Sequence, residues 1–323
     1  MLLEHVAGSI LGLAVGDALG VPVEFESRHS LKQNPVTDMR AYGSHRQPVG
    51  TWSDDSSLAL CLAESLTQSY DLKDVANRFV NWYNYNYWTP HGEVFDVGIA
   101  TSQAIHQLGL GIEPTKAGGK SVSSNGNGSL MRILPLLFYI YNKPIEQRFA
   151  IVKDVSSLTH AHIRSVMACF YYLEFARLLM QRTDKFMAFE QTKNTVNDFL
   201  KTQNHIPMEE IDLFHRLLVN PIGNYDIKPI YEYKEAEIYS SGYVLHTLEA
   251  SIWCILTSDS YAETVLKAVN LGEDTDTTGA VAGGLAGIMY TEVGIPKSWL
   301  VQLVKVEEIR DLTVRLFEKM SQN

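Results

Sequence analysis

The sequence is poor in cysteine, in positive charge and in long apolar runs, and each shortage excludes a class of protein. Its three cysteines, Cys61, Cys169 and Cys254, lie far apart with no Cys-x-x-Cys pair, so neither a disulfide framework nor a zinc site is expected. A formal net charge of −10 disfavours nucleic acid and anionic membranes as partners. No apolar stretch approaches transmembrane length. We therefore expect a cytoplasmic globular protein.

Helical spacing dominates the rest of the chain, whereas the alternating pattern of a half-buried strand is scarce. The apolar stretch from Val6 to Val15 has no basic start and is followed by Asp17, which indicates a buried first helix rather than a signal peptide. The polar stretch 204–237 could mark a domain boundary, but apolar helices flank it on both sides. We predict one all-α domain over residues 1–323. The predicted helical segments are 58–66, 94–108, 130–141, 166–180, 244–256, 265–269, 280–289 and 299–317.

Two acidic clusters, each at the start of a helix-like segment, are the most informative feature of the chain. The first is Ser53-Asp54-Asp55 and the second is Asp274-Thr275-Asp276-Thr277. Carboxylates with hydroxyl neighbours are hard oxygen ligands, the kind that Mg²⁺ and Mn²⁺ prefer. If the fold brings the clusters together, they could hold two hard cations about 3.5–4 Å apart, as two-metal hydrolases do.

Other interpretations of these clusters stay open from the residues alone. Either cluster could serve only as a helix N-cap, because Ser and Asp accept hydrogen bonds from the free N–H groups of a first turn. The second cluster imitates an EF-hand loop, but Leu285 stands where that loop needs a bidentate Glu. It also resembles the Asp-x-Asp-x-Thr motif of haloacid-dehalogenase-like phosphatases. The short remainder of the chain leaves no room for the long α/β domain that should follow that motif.

Six short motifs are spread along the chain: GSILGLAVGDALGVPVEF (8–25), GTWSDDSSLAL (50–60), FDVGIAT (95–101), GNGSLMRILP (126–135), LTHAH (158–162) and GEDTDTTGAVAGGLAG (272–287). In this order they resemble the ADP-ribosylglycohydrolase family, and within it the bacterial dinitrogenase-reductase-activating type. The resemblance runs from one end of the chain to the other. It implies an all-α domain with a dinuclear Mg²⁺ or Mn²⁺ centre at helix N-termini, which removes ADP-ribose from a modified acceptor.

The resemblance also implies a metal site. The family usually has Thr where this chain has Ser53 and Ser56, so the site keeps its hydroxyl groups but loses the β-branch that fixes χ1. Four carboxylates against two divalent cations would leave the site neutral before substrate enters. The implied metal ligands are Ser53, Asp54, Asp55, Asp274, Asp276 and Thr277.

The same resemblance implies catalytic and ADP-ribose-binding residues, each with an ordinary structural alternative. Glu24 and Asp96 would act near the scissile ribose, although a solvated loop carboxylate and a helix-terminus charge are the ordinary explanations. The loop 125–132 would wrap ADP-ribose with its backbone N–H groups, with Arg132 as a further partner of the diphosphate. The implied ADP-ribose contacts are Asn127, Gly128, Ser129, His160 and Tyr243.

The implied substrate is ADP-ribosyl-arginine on a protein, which the FDVG segment and the bacterial pattern favour. ADP-ribosyl-serine and small molecules such as O-acetyl-ADP-ribose stay open as substrates. So do a non-catalytic module that only binds ADP-ribose and a phosphatase that uses the same metals. All six implied ligands are present, which favours an enzyme over a binding module. No exposed apolar helix face stands out, so we expect a monomer.

Overall fold

Helices joined by loops account for residues 2–218 and 228–322, the parts of the chain that the computed structural model describes. Within these ranges three isolated β-bridges are the only extended pairing, so the prediction of an all-α fold is confirmed. Part of the polar stretch 204–237, including Pro221, lies outside the described residues. The α-helices are Leu3–Gly20 (α1), Arg28–Gln33 (α2), Asp54–Leu66 (α3), Leu72–Tyr85 (α4), Ile99–Gly109 (α5), Pro114–Ala117 (α6), Leu136–Ile140 (α7), Ile145–Ser157 (α8), Ile163–Met180 (α9), Lys185–Lys201 (α10), Met208–Asp212 (α11), Val244–Leu256 (α12), Tyr261–Val269 (α13), Thr275–Gly294 (α14), Lys297–Gln302 (α15) and Val306–Ser321 (α16).

At the centre of the fold, α1 and α14 run antiparallel with their backbones in contact. A Cβ atom at Gly12 would lie 2.5 Å from the carbonyl oxygen of Gly283, and one at Gly16 would lie 2.1 Å from that of Gly279. Only glycine permits such an approach. Because glycine recurs at every fourth position in both helices, the contacts fall on one face of each. We call this contact the glycine face; its members are Gly8, Gly12, Gly16, Gly20, Gly279, Gly283 and Gly287.

The first helix is buried, as the sequence indicates. By length and by a mean hydropathy of 1.7, the segment Leu3–Val23 has the character of a membrane span, contrary to our expectation that no stretch would qualify. Its most apolar window is nevertheless wholly buried inside the fold. Packing against α14 accounts for this apolarity, so the helix gives no reason to propose a membrane.

Three predicted helical segments are wrong at their boundaries, and of the segment 130–141 only Leu136–Ile140 is an α-helix. The segment 94–108 becomes helical only at Ile99, because Asp96 has a left-handed backbone with φ 50° and Gly98 is extended. The segment 299–317 is split into α15 and α16, and Lys305 adopts φ 58° between them. Apolar spacing continues through both interruptions because the residues there still face the core. Periodic apolar spacing therefore shows which residues are buried, but it does not show where the backbone leaves the helical conformation.

Helix α4 was missed by the sequence analysis. Its apolar residues Val75, Phe79 and Trp82 are buried, while Tyr83 and Tyr85 on the other side are exposed. Asp71 caps its start by accepting a hydrogen bond from the N–H of Lys73 at 2.9 Å. Frequent charged and amide residues between the apolar ones hid the pattern, although the spacing of four and three is that of an amphipathic helix.

Candidate metal centre and substrate pocket

The two acidic clusters meet at the N-termini of α3 and α14. The hydroxyl of Thr277 donates to Asp55 Oδ1 at 3.3 Å, which joins the two clusters directly. Carboxylate oxygens of Asp17, Asp55 and Asp276 all lie within 4.8 Å of one another. The glycine face makes this possible, because α1 and α14 would stand farther apart with any larger residue between them. The fold thus brings the two acidic clusters together, as a shared metal site requires.

Asp17 of α1 fixes the start of α3 from outside that helix. Its carboxylate accepts hydrogen bonds from the N–H of Ser53 at 2.9 and 3.0 Å, from the N–H of Ser56 at 3.0 Å and from the Ser56 hydroxyl at 2.5 Å. Burial raises the pKa of Asp17 to about 7. The sequence analysis missed this role, although a single acid inside an otherwise apolar helix was a signal for it.

Most carboxylates of the clusters are not used as helix caps, which separates the cap interpretation from the ligand interpretation. Ser53 does cap α3, since its Oγ accepts a hydrogen bond from the N–H of Asp55 at 3.3 Å. Asp274 precedes α14 without a side-chain cap, and its Oδ2 accepts instead from Asn127 Nδ2 at 2.9 Å. Among the described residues, the Asp276 carboxylate accepts from the neighbouring N–H of Thr277, at 2.8 Å.

Three carboxylate oxygens at this place have no hydrogen-bond donor among the described residues. They are Asp55 Oδ2, Asp274 Oδ1 and Asp276 Oδ2, and each is closed off from solvent. A buried carboxylate oxygen without a donor is costly unless a cation or a proton compensates it. Hard divalent cations take such oxygen ligands, so the residues present fit a Mg²⁺ or Mn²⁺ centre.

Electrostatics point the same way. Burial, followed by repulsion from neighbouring carboxylates, raises the pKa of Asp54, Asp55 and Asp276 well above the usual range. Burial also raises the pKa of Asp274. Nearby positive charge would reverse these shifts, because it favours the ionised form of a carboxyl group. A bound cation would therefore offset the repulsion within this cluster.

Glu24 lies beside this cluster in contact with a residue that the sequence did not indicate. Its Oε2 makes a short hydrogen bond with Nε2 of His45, whose ring lies between Phe25 at 5.9 Å and Phe95 at 5.4 Å, measured between centroids. Burial raises the pKa of Glu24 to about 7, and the hydrogen bond to Glu24 raises the pKa of His45. No motif contains His45, so only the folded loop reveals the pair.

Asp96 reaches the same group from the segment before α5. Side-chain atoms of Glu24, His45, Asp96 and Asp276 lie within 4.8 Å of one another. The left-handed backbone of Asp96 holds it outside the helix, so the ordinary explanation as a helix-terminus charge does not apply. A strained backbone at a cluster of acids is typical of functional sites. Asp276 belongs to both groups of acids and connects them.

A pocket of ≈ 250 Å³ opens onto these residues, and its two ends differ in charge. The acidic end comprises Glu24, Asp54, Asp96, Asp274 and Thr277. The neutral end comprises Gly126, Asn127, Gly128, His160 and Gly242. Ser53, Asp55 and Asp276 lie behind the acidic end and do not line the pocket. A ligand in this pocket would therefore meet both carboxylates and uncharged amide, glycine and imidazole groups.

The neutral end is built from two loops that pair with each other. Gly126 and Tyr243 form an antiparallel bridge, and the N–H of Asn127 donates to the carbonyl of Gly242 at 3.0 Å. That N–H is therefore not free for a phosphate, contrary to our expectation for this loop. The Asn127 side chain also donates to Thr247 Oγ1 at 2.9 Å, so Asn127 ties both loops to the acidic end through Asp274. A Cβ at Gly128 would lie 2.8 Å from His160 Cε1, so glycine is needed there.

Three residues expected around ADP-ribose lie outside the pocket lining. Ser129 is buried, and its hydroxyl contacts Ser156 Oγ at 3.0 Å and Cys169 Sγ at 3.4 Å. Tyr243 is half-buried beside Gly242, with the guanidinium of Arg164 5.8 Å from its ring centroid. Arg132 is fully buried below the loop, so its expected contact with the diphosphate is wrong. Sequence places these residues in the right loops but cannot give the direction of their side chains.

The sequence model of the ADP-ribosylglycohydrolase family matches residues 1–323. The chain belongs to this family. It is 32% identical to the "ADP-ribosylarginine hydrolase Tri1" of Serratia proteamaculans, over 98% of this chain and 79% of that protein. It is 28% identical to the "ADP-ribosyl-[dinitrogen reductase] glycohydrolase" of Rhodospirillum rubrum, over 95% and 93% of the two chains.

A solved structure shares the fold of this ADP-ribosylglycohydrolase. It is described as an "ADP-ribosylglycohydrolase-related protein complex" and matches with a TM-score of 0.73 and 30% identity. The match covers 98% of each chain, so the whole helical architecture is shared rather than one part of it.

Proposed function

We propose that this chain hydrolyses the bond between ADP-ribose and an arginine side chain of a modified protein. The observation that carries the proposal is a single pocket. Its acidic end has grouped carboxylates that could hold cations, and its neutral end offers amide and imidazole groups. Membership of the ADP-ribosylglycohydrolase family supports the reaction. The name of the Serratia relative, an ADP-ribosylarginine hydrolase that is alignable over nearly the whole chain, supports arginine as the acceptor.

We infer that the acidic end works with two Mg²⁺ or Mn²⁺ ions. Two divalent cations would balance the four aspartates of the clusters, and the three donor-free oxygens support the presence of positive charge there. When bound, such ions supply Lewis acidity toward ribose hydroxyls and a nearby water molecule. The proposed ligands are the ones expected from the sequence, namely Ser53, Asp54, Asp55, Asp274, Asp276 and Thr277.

Glu24 is the proposed proton-transferring residue. A carboxylate oxygen of Glu24 lies within 4.8 Å of one oxygen each of Asp96 and Asp276, so Glu24 can pass a proton to or from a ligand held at the acidic end. His45 holds that carboxyl in place through the hydrogen bond between its Nε2 and Glu24 Oε2. Asp96 is proposed to orient the ribose at the acidic end, and the Asn127 amide to keep Asp274 turned toward the pocket.

The proposed reaction is tested by release of ADP-ribose from an ADP-ribosyl-arginine protein and, in parallel, from an ADP-ribosyl-serine peptide. Each substrate is assayed with Mg²⁺, with Mn²⁺ and with EDTA. We expect metal-dependent release from the arginine substrate and much slower release from the serine peptide. Faster release from serine would overturn the acceptor assignment. Binding of ADP-ribose without release from either substrate would identify a binding module, and release of inorganic phosphate would identify a phosphatase.

We further propose that the protein acts as a cytoplasmic monomer, with neither nucleic acid nor membrane as a partner. The negative net charge supports this, as does the burial of the apolar first helix within the fold. Light scattering on the purified chain, together with fractionation of cells that express it, tests both parts. A dimeric mass or recovery with membranes would contradict the proposal.

A further inference from the structure

Arg132 is a buried cation that no step of the proposed reaction uses. Its side chain is fully buried, its Nη2 donates to the carbonyl of Val155 at 3.1 Å and to Thr159 Oγ1 at 2.8 Å, and its guanidinium lies 4.7 Å from the ring centroid of Phe79. Nε and Nη1 have no partner among the described residues, and no carboxylate pairs with the group. A buried charge without a counter-ion is costly, so its retention calls for an explanation.

Thr159 connects this cation to the pocket. Its Oγ1 accepts from Arg132 and lies 2.9 Å from Nδ1 of His160, which lines the neutral end. A guanidinium can only donate, so the threonine keeps its own proton to give away. Among the described residues, the only other side-chain partner of that hydroxyl is His160 Nδ1. Donation from the hydroxyl to Nδ1 is the arrangement that uses this proton, and in the neutral ring it places the ring proton on Nε2.

The ring is held so that Nε2 faces the neutral end. A Cβ at Gly126 would lie 3.5 Å from Nε2, which places this atom against the pocket loop rather than the core. The backbone of His160 is fixed on two sides: its N–H donates to Ser156 O at 2.8 Å, and the residue forms a parallel bridge with Gly119. Neither the ring nor its backbone has much freedom to turn.

We propose that Arg132 and Thr159 are positioning residues that lock His160 as the neutral tautomer with its proton on Nε2. This proposal rests on the proposed function only for the identity of the ligand: the Nε2–H then donates to an oxygen of ADP-ribose. The neutral end would thus recognise its ligand with a fixed donor rather than with a charge. Arg132 contributes without touching the ligand, because its charge disfavours a second proton on the ring.

Electrostatics agree with this geometry. Burial, followed by the positive charge of Arg132, lowers the pKa of His160 to about 3. The ring is therefore neutral at physiological pH and has one donor and one acceptor nitrogen. Without the Thr159 hydroxyl, Nδ1 would lose this hydrogen-bond partner, and the position of the ring proton would no longer be fixed by it.

The tautomer is measured by long-range ¹H–¹⁵N NMR of the full chain labelled in its ten histidines, with Mg²⁺ present at pH 7. His160→Gln identifies the signal by its disappearance. We expect the wild-type pattern of a proton on Nε2, an average of both tautomers in Thr159→Val, and the wild-type pattern again in Thr159→Ser, which restores the hydroxyl. A proton on Nδ1 in the wild-type protein would overturn the proposal, as would an unchanged pattern in Thr159→Val. The wild-type spectrum decides even if the valine variant does not fold.

Calorimetry with ADP-ribose gives a second readout on the same proteins. We expect Thr159→Val to bind about tenfold more weakly, the equivalent of one neutral hydrogen bond, and Thr159→Ser to bind as the wild type does. Equal affinity in all three proteins would remove the donor role of Nε2. Failure of the wild type to bind ADP-ribose, with the Nε2 proton still observed, would contradict the proposed function and leave the tautomer assignment standing.

Discussion

At and directly behind the acidic end of the pocket, Asp55, Asp274 and Asp276 each keep a carboxylate oxygen without a donor among the described residues, whereas at the neutral end Asn127 and His160 are both hydrogen-bonded within the protein. The carboxylates of the acidic end repel one another and are shielded from water, so they need cations or protons to balance their charge. The loops of the neutral end are held by hydrogen bonds within the protein. On the proposed function, the acidic end would bind metal and the neutral end would add contacts to ADP-ribose, so variants at the two ends should have separable effects.

Asp276→Asn should have the largest effect of these variants, and it should act on the acidic end alone. Asp276 belongs to both groups of acids, so we expect activity on the ADP-ribosyl-arginine protein to fall by about 1,000-fold or more. Melting of the metal-free protein should move to higher temperature because one repelling charge is gone, and Mg²⁺ should no longer raise it much. Glu273→Gln, at an exposed neighbour of the cluster, is the matched control and should match the wild type in both assays. Full metal-dependent activity in Asp276→Asn would refute the ligand assignment.

Gly20→Ala should disturb the acidic end through the backbone alone. Its Cβ would lie 2.3 Å from both the Cα and the N of Asp276, so the start of α14 must move. We expect a loss of about 1–3 kcal/mol in the free energy of unfolding, as for other overpacked sites. A displacement of this kind should lower activity by about 100-fold. In Gly109→Ala the nearest atom stands 3.9 Å away, so this control should be as stable and active as the wild type.

His45→Ala should separate turnover from binding. The variant removes the hydrogen-bond partner of Glu24 but no group of the neutral end. We expect turnover to fall by about tenfold, as when the supporting partner of a functional residue is lost, with the affinity for ADP-ribose unchanged. His45→Gln, which keeps a donor, should recover part of the rate, and His29→Ala on the exposed face of α2 should change nothing. Weaker ADP-ribose binding with unchanged turnover would place His45 in recognition rather than in support of Glu24.

The smallest expected effect concerns the pH dependence of stability in EDTA. A carboxyl whose pKa is raised on folding keeps its proton in the folded state after the unfolded chain has released it, so stability falls as pH rises. For Asp17 and Glu24, whose pKa values rise to about 7, this loss occurs between their ordinary range and neutral pH. We expect the metal-free Tm to drop by about 5 °C from pH 5 to pH 8. Mg²⁺ should raise Tm more at pH 8 than at pH 5; an equal rise at both would show that cations do not replace these protons.

The two acidic clusters could be predicted from the sequence, because each is a short run next to a helix, whereas Glu24 and Asp96 were indicated only by the family resemblance. Asp17 and His45 escaped prediction for a different reason. Asp17 lies 36 positions from Ser53, and His45 lies 21 positions from Glu24, so no local pattern records either contact. Arg132 was misjudged because its loop is recognisable while the direction of its side chain is decided by packing against α8. Contacts between distant segments carry information that spacing along the chain does not.

The glycine face also sets the order in which this protein can mature during translation. The hydroxyl of Thr275 donates to the carbonyl of Gly20 across 255 positions, so the ribosome completes α1 long before α14 exists. Until α14 emerges, one flank of α1 has no partner, and Asp54 and Asp55 have no second cluster to face. Capture of metal is therefore expected only after most of the chain has been synthesised. Because contacts between such distant segments form slowly, the last step of maturation is also expected to be the slowest.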